Sequence, residues 1–324
     1  MIYLDHTATA PVCDEAKRAL IAALEVFGNP SSLHRLGIDA QLLVSKARQS
    51  IANAIKADED SIYFTSCATE SNNTAFFGVA SALGRRKKKV VISGIEHPSA
   101  LECALRLEAE GFEVVKILPD ENGEISAKAV FDAVDEKTLL VSMMLVNNET
   151  GYILPVSKAF SMIKKKYPDV VTHCDAVQGF LKIPFTVKNL CADLISVSGH
   201  KVGAPKGVGA LYIKKGTRIN PFIVGGGQEK NMRSGTENVT LISAFGAAVD
   251  FLAPTVKERL QKTEDTKAYL LQKLENVNGA YAHSFSESSP YIVSITAENI
   301  KSETLLHYLE SKEIYVSSGS ACSK

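Results

Sequence analysis

Two hydrophobic rhythms alternate along the chain. Short apolar runs occur at residues 62–64, 90–92, 114–118, 139–146, 170–173, 194–197 and 210–213. Several are continuous rather than alternating, the pattern of strands covered on both faces. Between them the spacing lengthens to that of a helix face. Leu43, Ala47, Ile51 and Ile55 recur every four residues, and residues 99–110 and 156–166 read as further helices. Asp14 is placed to cap a helix through Ala16, Ala19, Leu20, Ala23 and Leu24, ending near Gly28-Asn29-Pro30. This alternation predicts an α/β fold with a mainly parallel seven-stranded sheet between helices. From Ala244 the rhythm changes to a long helix over 244–276, a strand over 291–295 and a helix over 303–311. That change predicts a second, smaller α+β domain.

Composition narrows the function classes. Hydrophobic residues are 45% and charged residues 22% of the 324, as in an ordinary globular chain. Lys+Arg and Asp+Glu are both 36, so the formal net charge is zero. The balance removes the electrostatic reason to expect a nucleic-acid or anionic-membrane binder. The basic run Arg85-Arg86-Lys87-Lys88-Lys89 reads as a solvated turn before a strand. The cysteines Cys13, Cys67, Cys103, Cys174, Cys191 and Cys322 have neither zinc-ribbon nor CxxC spacing, and no metal site is predicted. The N-terminus lacks a basic then apolar leader, and no uninterrupted apolar run approaches the ~18 residues of a membrane span. The expected setting is soluble and cytoplasmic, with reduced thiols.

Candidate chemistry gathers where open α/β sheets bind ligands, just beyond the carboxyl ends of strands. The first strand is followed by Thr65-Ser66-Cys67-Ala68-Thr69-Glu70-Ser71-Asn72, opening a helix. Its free N–H groups and hydroxyls suit a phosphate, or form a plain cap. Later strands are followed by Glu96-His97-Pro98, by Asn147-Asn148-Glu149-Thr150-Gly151 and by Asp175-Ala176-Val177-Gln178. The second of these is equally a turn, and the acid of the third either caps a helix or holds a protonated ring nitrogen. Ser198-Gly199-His200-Lys201 ends an apolar run and leads into the glycine-rich segment 203–209. A lysine partly desolvated at such a site has a lowered pKa and is suited to imine chemistry. Phosphate cradle, aromatic platform, carboxylate and lysine are together the set that pyridoxal phosphate needs.

Nine segments then occur in the order of a known family: Tyr3-Leu4-Asp5, Gly28-Asn29-Pro30-Ser31-Ser32, Ala68-Thr69-Glu70-Ser71, Glu96-His97, Val146-Asn147-Asn148-Glu149, Asp175-Ala176-Val177-Gln178, Ser198-Gly199-His200-Lys201, Arg233-Ser234-Gly235-Thr236 and Ser317-Ser318-Gly319-Ser320-Ala321-Cys322. Over essentially the whole chain this resembles the cysteine desulfurases, class-V aminotransferase-like pyridoxal-phosphate enzymes of the aspartate aminotransferase fold, fold type I. The resemblance implies a large cofactor-binding domain over residues 14–245 and a small domain from 1–13 and 246–324.

It also implies roles. Lys201 would hold pyridoxal 5'-phosphate covalently and shuttle protons, Asp175 would pair with the pyridinium nitrogen, and His97 would stack on the ring and assist proton transfer. Gln178 and Asn148 would contact the phenolic oxygen or the substrate. Ala68, Thr69, Ser198 and His200 would hold the phosphate, joined by Thr236 from the neighbouring subunit of a homodimer. Cys322 would be the nucleophile that takes sulfur from L-cysteine as a persulfide, releasing L-alanine. A sulfur-acceptor or scaffold protein would then receive it for iron–sulfur cluster assembly or tRNA thiolation. Thiolate is the reactive form, and the Gly319 loop suits the mobility that delivery needs.

Departures from the family are local until the end. Cys67 stands where many members carry glycine. The chain stops at Lys324, where members continue for several dozen residues and supply an arginine for the substrate carboxylate. Arg218 and Arg233 are the substitutes on offer, and the small domain is expected to be truncated. Without a bidentate arginine a carboxylate loses its strongest orienting contact. Two alternatives therefore stay open: an impaired or partner-completed paralogue that binds the cofactor, or a related lyase with a changed substrate.

Overall fold

The computed structural model describes residues 1–319. Strand β1 (Ile2–Tyr3) is followed by helices α1 (Asp14–Leu24) and α2 (Arg35–Ile55). Strands and helices then alternate: β2 (Ile62–Thr65), α3 (Ala68–Leu83), β3 (Lys89–Ser93), α4 (Pro98–Ala109), β4 (Glu113–Ile117), α5 (Ala127–Asp132), β5 (Thr138–Met144), α6 (Val156–Lys166) and β6 (Val171–Asp175). Next come α7 (Val187–Leu190), β7 (Leu194–Ser198) and β8 (Gly209–Ile213), then α8 (Val239–Leu252) and α9 (Val256–Leu274). The chain continues through β9 (Ala280–Ala282), β10 (Ile295–Ala297), α10 (Ser302–Glu310) and β11 (Ile314–Tyr315).

The expected seven-stranded sheet is present, in the order β2-β8-β7-β6-β5-β3-β4. Only β8 runs against its neighbours β2 and β7. Two antiparallel pairings in succession restore direction, so β2 points the same way as β5, β6 and β7. Register then aligns their carboxyl ends, with Met144 beside Asp175 and Asp175 beside Ser196. Polar residues written far apart in the chain are thereby brought to one edge.

Alternation along each strand feeds two helical layers. In β5, Leu140 joins the core cluster that includes Phe76, Val79 and Leu107, while Val141 joins the one that includes Ile51, Phe160 and Phe245. Fully burying each such side chain contributes about 1.5–3 kcal/mol. Helix α8 is buried through Ile242, Phe245, Ala248 and Val249, and it packs on α1 and α2.

Four local expectations are corrected. Asp14 is the first helical residue rather than the cap, a place taken by Cys13, and its carboxylate pairs with Lys17 at 2.9 Å. The long helix expected from 244 is two helices broken at the turn Ala253–Thr255, because Pro254 lacks the N–H that would continue the ladder. The stretch Val239–Leu274 is long and apolar enough to cross a membrane by length and composition alone, but its α8 part has its apolar face in this core. The strand expected at 291–295 begins only at Ile295 and pairs antiparallel with β9. The basic run is not wholly solvated: Lys89 enters β3, is buried, and pairs with Asp135 at 3.0 Å.

Candidate active site

The carboxyl ends of β2, β5, β6 and β7 surround a cavity of about 290 Å³. Ala68, Thr69, His97, Asn148, Asp175, Gln178, Ser198, His200 and Lys201 all line it. Thr236 is exposed and is not among the residues lining it; the resemblance assigns that residue to a second subunit's site. Cys322 lies outside the described residues, although Ser317 and Gly319 of its motif line the cavity.

Asp175 ends β6 and is buried. Its Oδ1 accepts the backbone N–H of Val177 at 3.0 Å, and its Oδ2 accepts the side-chain amide of Asn72 at 2.8 Å. The same Asn72 nitrogen donates to Ser99 Oγ at 2.9 Å, and Ser99 Oγ lies 2.8 Å from His97 Nδ1. A continuous network thus runs from the carboxylate to the imidazole. The backbone N–H of Ser99 also donates to His97 Nδ1 at 3.1 Å. Nδ1 is therefore an acceptor, and the neutral ring carries its proton on Nε2. Burial, with help from the Lys201 charge, lowers the His97 pKa against the opposing pull of Asp175 and Glu149.

Lys201 sits in the turn Gly199–Lys201 that caps β7. Its ammonium donates to the backbone carbonyls of Thr7 and Ala8, the latter at 2.9 Å. The segment before α1 is thus folded over the site. His200 is kept neutral, its pKa pushed down to about 4 by burial first, then by Lys201, Lys206 and Lys182. Behind the rim, Glu96 is buried, accepts from Ser93 Oγ and the Met144 N–H, and is pushed up to about 8 by desolvation.

The opposite end of the cavity is built for an anion. Helix α3 begins at Ala68, and no side chain caps it at Cys67, so its first-turn N–H groups face the site with the positive end of the helix dipole. Cys67 has φ of −173°, extended backbone that any residue adopts, so glycine is not required there. Gly209 is the constrained neighbour: a Cβ would meet the Cys67 carbonyl carbon and the Val197 carbonyl oxygen at 2.9 Å each. Ser198 Oγ is buried, has no hydrogen-bond partner among the described residues, and lines the cavity. An orphaned hydroxyl, free helix N–H groups, a buried carboxylate and a lysine fit a phosphorylated pyridinium ring.

Neither substitute arginine reaches the cavity. Arg233 forms a two-pronged pair with Glu70, at 2.8 and 3.2 Å. Arg218 lines a separate groove near α6 and α7. Sequence reasoning missed Asn72, Ser99, Thr7 and Ala8. Asn72 was detectable, since it lies one helical turn beyond Ala68 and so shares its face. Thr7 and Ala8 act through backbone carbonyls, which leave no mark in residue identity.

A family model for aminotransferase class-V matches residues 2–324. The chain is 40% identical over 325 residues to the cysteine desulfurase IscS of Dictyoglomus turgidum, covering 99% of this chain and 82% of that protein. A solved NifS-like protein superposes with a TM-score of 0.94 at 38% identity, covering 98% of this chain and 87% of that one. Another, described as SspA in complex with cysteine, superposes with a TM-score of 0.88 at 31% identity, covering 99% and 90%.

Proposed function

Because this chain belongs to the cysteine desulfurases of the class-V aminotransferase family, we infer that it is a pyridoxal-phosphate-dependent enzyme releasing sulfur from L-cysteine. One observation carries the assignment to particular residues: a single cavity joins Lys201, Asp175, His97, Ser198 and the N-terminus of α3. A similar protein bound to cysteine supports an amino-acid thiol as substrate.

The cofactor, when bound, supplies an electron sink for the substrate's carbon skeleton. Lys201 provides the amine that anchors it and later moves the Cα proton. Asp175, oriented by Val177 and Asn72, holds positive charge on the ring nitrogen. The α3 N–H groups and the Ser198 hydroxyl bind phosphate. His97 would stack on the ring and assist proton transfer. Cys322 would attack as thiolate: its bond to the substrate sulfur forms as the Cβ–S bond breaks, the electron pair goes to Cβ, and protonation of Cβ and Cα gives L-alanine while the persulfide stays on Cys322. The enzyme works as a homodimer, with Thr236 reaching the neighbouring site, and hands its sulfur to an acceptor or scaffold protein of iron–sulfur assembly or tRNA thiolation.

The test has three readings. Purified protein incubated with pyridoxal phosphate develops a visible band that Lys201→Ala removes. Cysteine is then converted to alanine, and Cys322→Ala stops persulfide formation. A colourless unsubstituted protein, or full sulfur release by Cys322→Ala, would overturn the assignment.

A further inference from the structure

Lys182 is an ionisable residue with almost no access to water. It is 7% exposed, and burying an ammonium in a protein interior is costly unless something is gained by it. The backbone leading to it is strained as well. Leu181 has φ of +56°, a left-handed conformation rarely taken by a bulky side chain, and such outliers cluster at functional sites. The Lys182 ammonium donates to Gln178 Oε1 at 2.9 Å. Gln178 in turn donates from Nε2 to the Thr7 carbonyl at 3.0 Å, the same oxygen that accepts from Lys201.

We propose that Lys182 is a positioning residue for the cofactor site: it holds Gln178 by its carbonyl oxygen, so that the carboxamide presents only N–H to the ligand. A glutamine amide is otherwise ambivalent, offering a donor on one side and an acceptor on the other. With Oε1 tied to an ammonium and one N–H tied to Thr7, the second N–H is what remains for the cavity that Gln178 lines. The site thereby selects a ligand with an anionic or acceptor oxygen at that place and rejects a donor. The charged groups facing Lys182 are Lys201 and Arg259, with His6 beside it. Burial first, then repulsion from Lys201 and Arg259, lowers its pKa to about 7.

The inference rests on the pyridoxal-phosphate reading, and two measurements separate them. In the loaded enzyme without substrate, the visible band is titrated with pH in the unsubstituted protein, Lys182→Met, Gln178→Leu and the double variant. Removing the donor and the nearby charge raises the proton affinity of an anionic chromophore, so Lys182→Met shifts the midpoint upward by about one unit, a tenfold change. If Lys182 acts through Gln178, its substitution adds little once Gln178 is leucine. An unchanged midpoint, or fully additive shifts, overturns the proposal. The second measurement needs neither cofactor nor substitution. In the apo protein with nitrogen-15 in its glutamines, the Gln178 amide protons show nuclear Overhauser contacts to Thr7 and not to the Lys182 ε-methylene. Contacts to Lys182 instead would mean a flipped amide and refute the lock, whether or not Lys182→Met folds or a band forms.

Discussion

Asn72 Nδ2 lies 2.8 Å from Asp175 Oδ2, and both side chains are buried. The amide holds the carboxylate that faces the cavity and, through Ser99, the ring of His97. A hydrogen bond to a buried charge contributes about 1.5–3 kcal/mol. Asn72→Ala is therefore expected to weaken pyridoxal phosphate binding about ten- to hundredfold, read by titrating apo protein with cofactor. Unchanged affinity would show that Val177 alone suffices to hold Asp175.

Gly209→Ala should damage the same site from behind. The added methyl would meet backbone at 2.9 Å on both sides, so β8 or the start of α3 must shift. Such overpacking costs about 1–3 kcal/mol. Cofactor affinity is expected to fall about tenfold or more. Normal affinity in the folded variant would mean that the α3 N-terminus tolerates displacement.

His173 governs acid stability without touching the cavity. It is fully buried between Ser142 and Ser196, at 2.8 and 3.0 Å. Desolvation pushes its pKa from 6.5 to about 3. The unfolded chain thus binds this proton more readily than the folded one. The contribution is present above pH 6.5 and is lost as pH falls toward about 3. Urea unfolding as a function of pH should show a flatter acid limb in His173→Gln, by a few kcal/mol at about pH 4. An identical slope would assign acid lability to other groups.

Arg48 and Glu229 form a buried two-pronged pair at 2.7 and 2.8 Å, and Glu229 also accepts the Phe64 N–H at 2.9 Å. Arg48→Met leaves that carboxylate uncompensated and should cost about 3–5 kcal/mol. Adding Glu229→Leu should recover part of the loss in a denaturant melt. No recovery would mean that the Phe64 contact, rather than the ion pair, carries the stability.

Much of this was legible in the residues. The seven apolar runs mark the seven strands because strands covered on both faces favour apolar side chains, although buried β6 also carries Thr172 and His173, and edge strand β4 is partly exposed. The polar clusters after those runs supplied nine of the side chains that line the cavity. The 244–276 helix was misread because an apolar rhythm passes over Pro254, whose effect lies in a missing donor. The strand at 291–295 was misplaced because a three-residue strand is set by its partner β9 rather than by its own pattern.

Residue identity and order settle which chemistry this protein carries and the succession of its elements. A carboxylate, an imidazole and an amine are properties of residues, and hydrophobic period is a property of neighbours along the chain. Folding is what brings Asn72 to Asp175, Thr7 and Ala8 to Lys201, Arg233 to Glu70, and Lys182 to its buried place behind Gln178. Those relationships join atoms far apart in the chain, several of them backbone carbonyls common to every residue. They come into being only when strand register and crossovers bring the carboxyl ends of β2, β5, β6 and β7 to one edge.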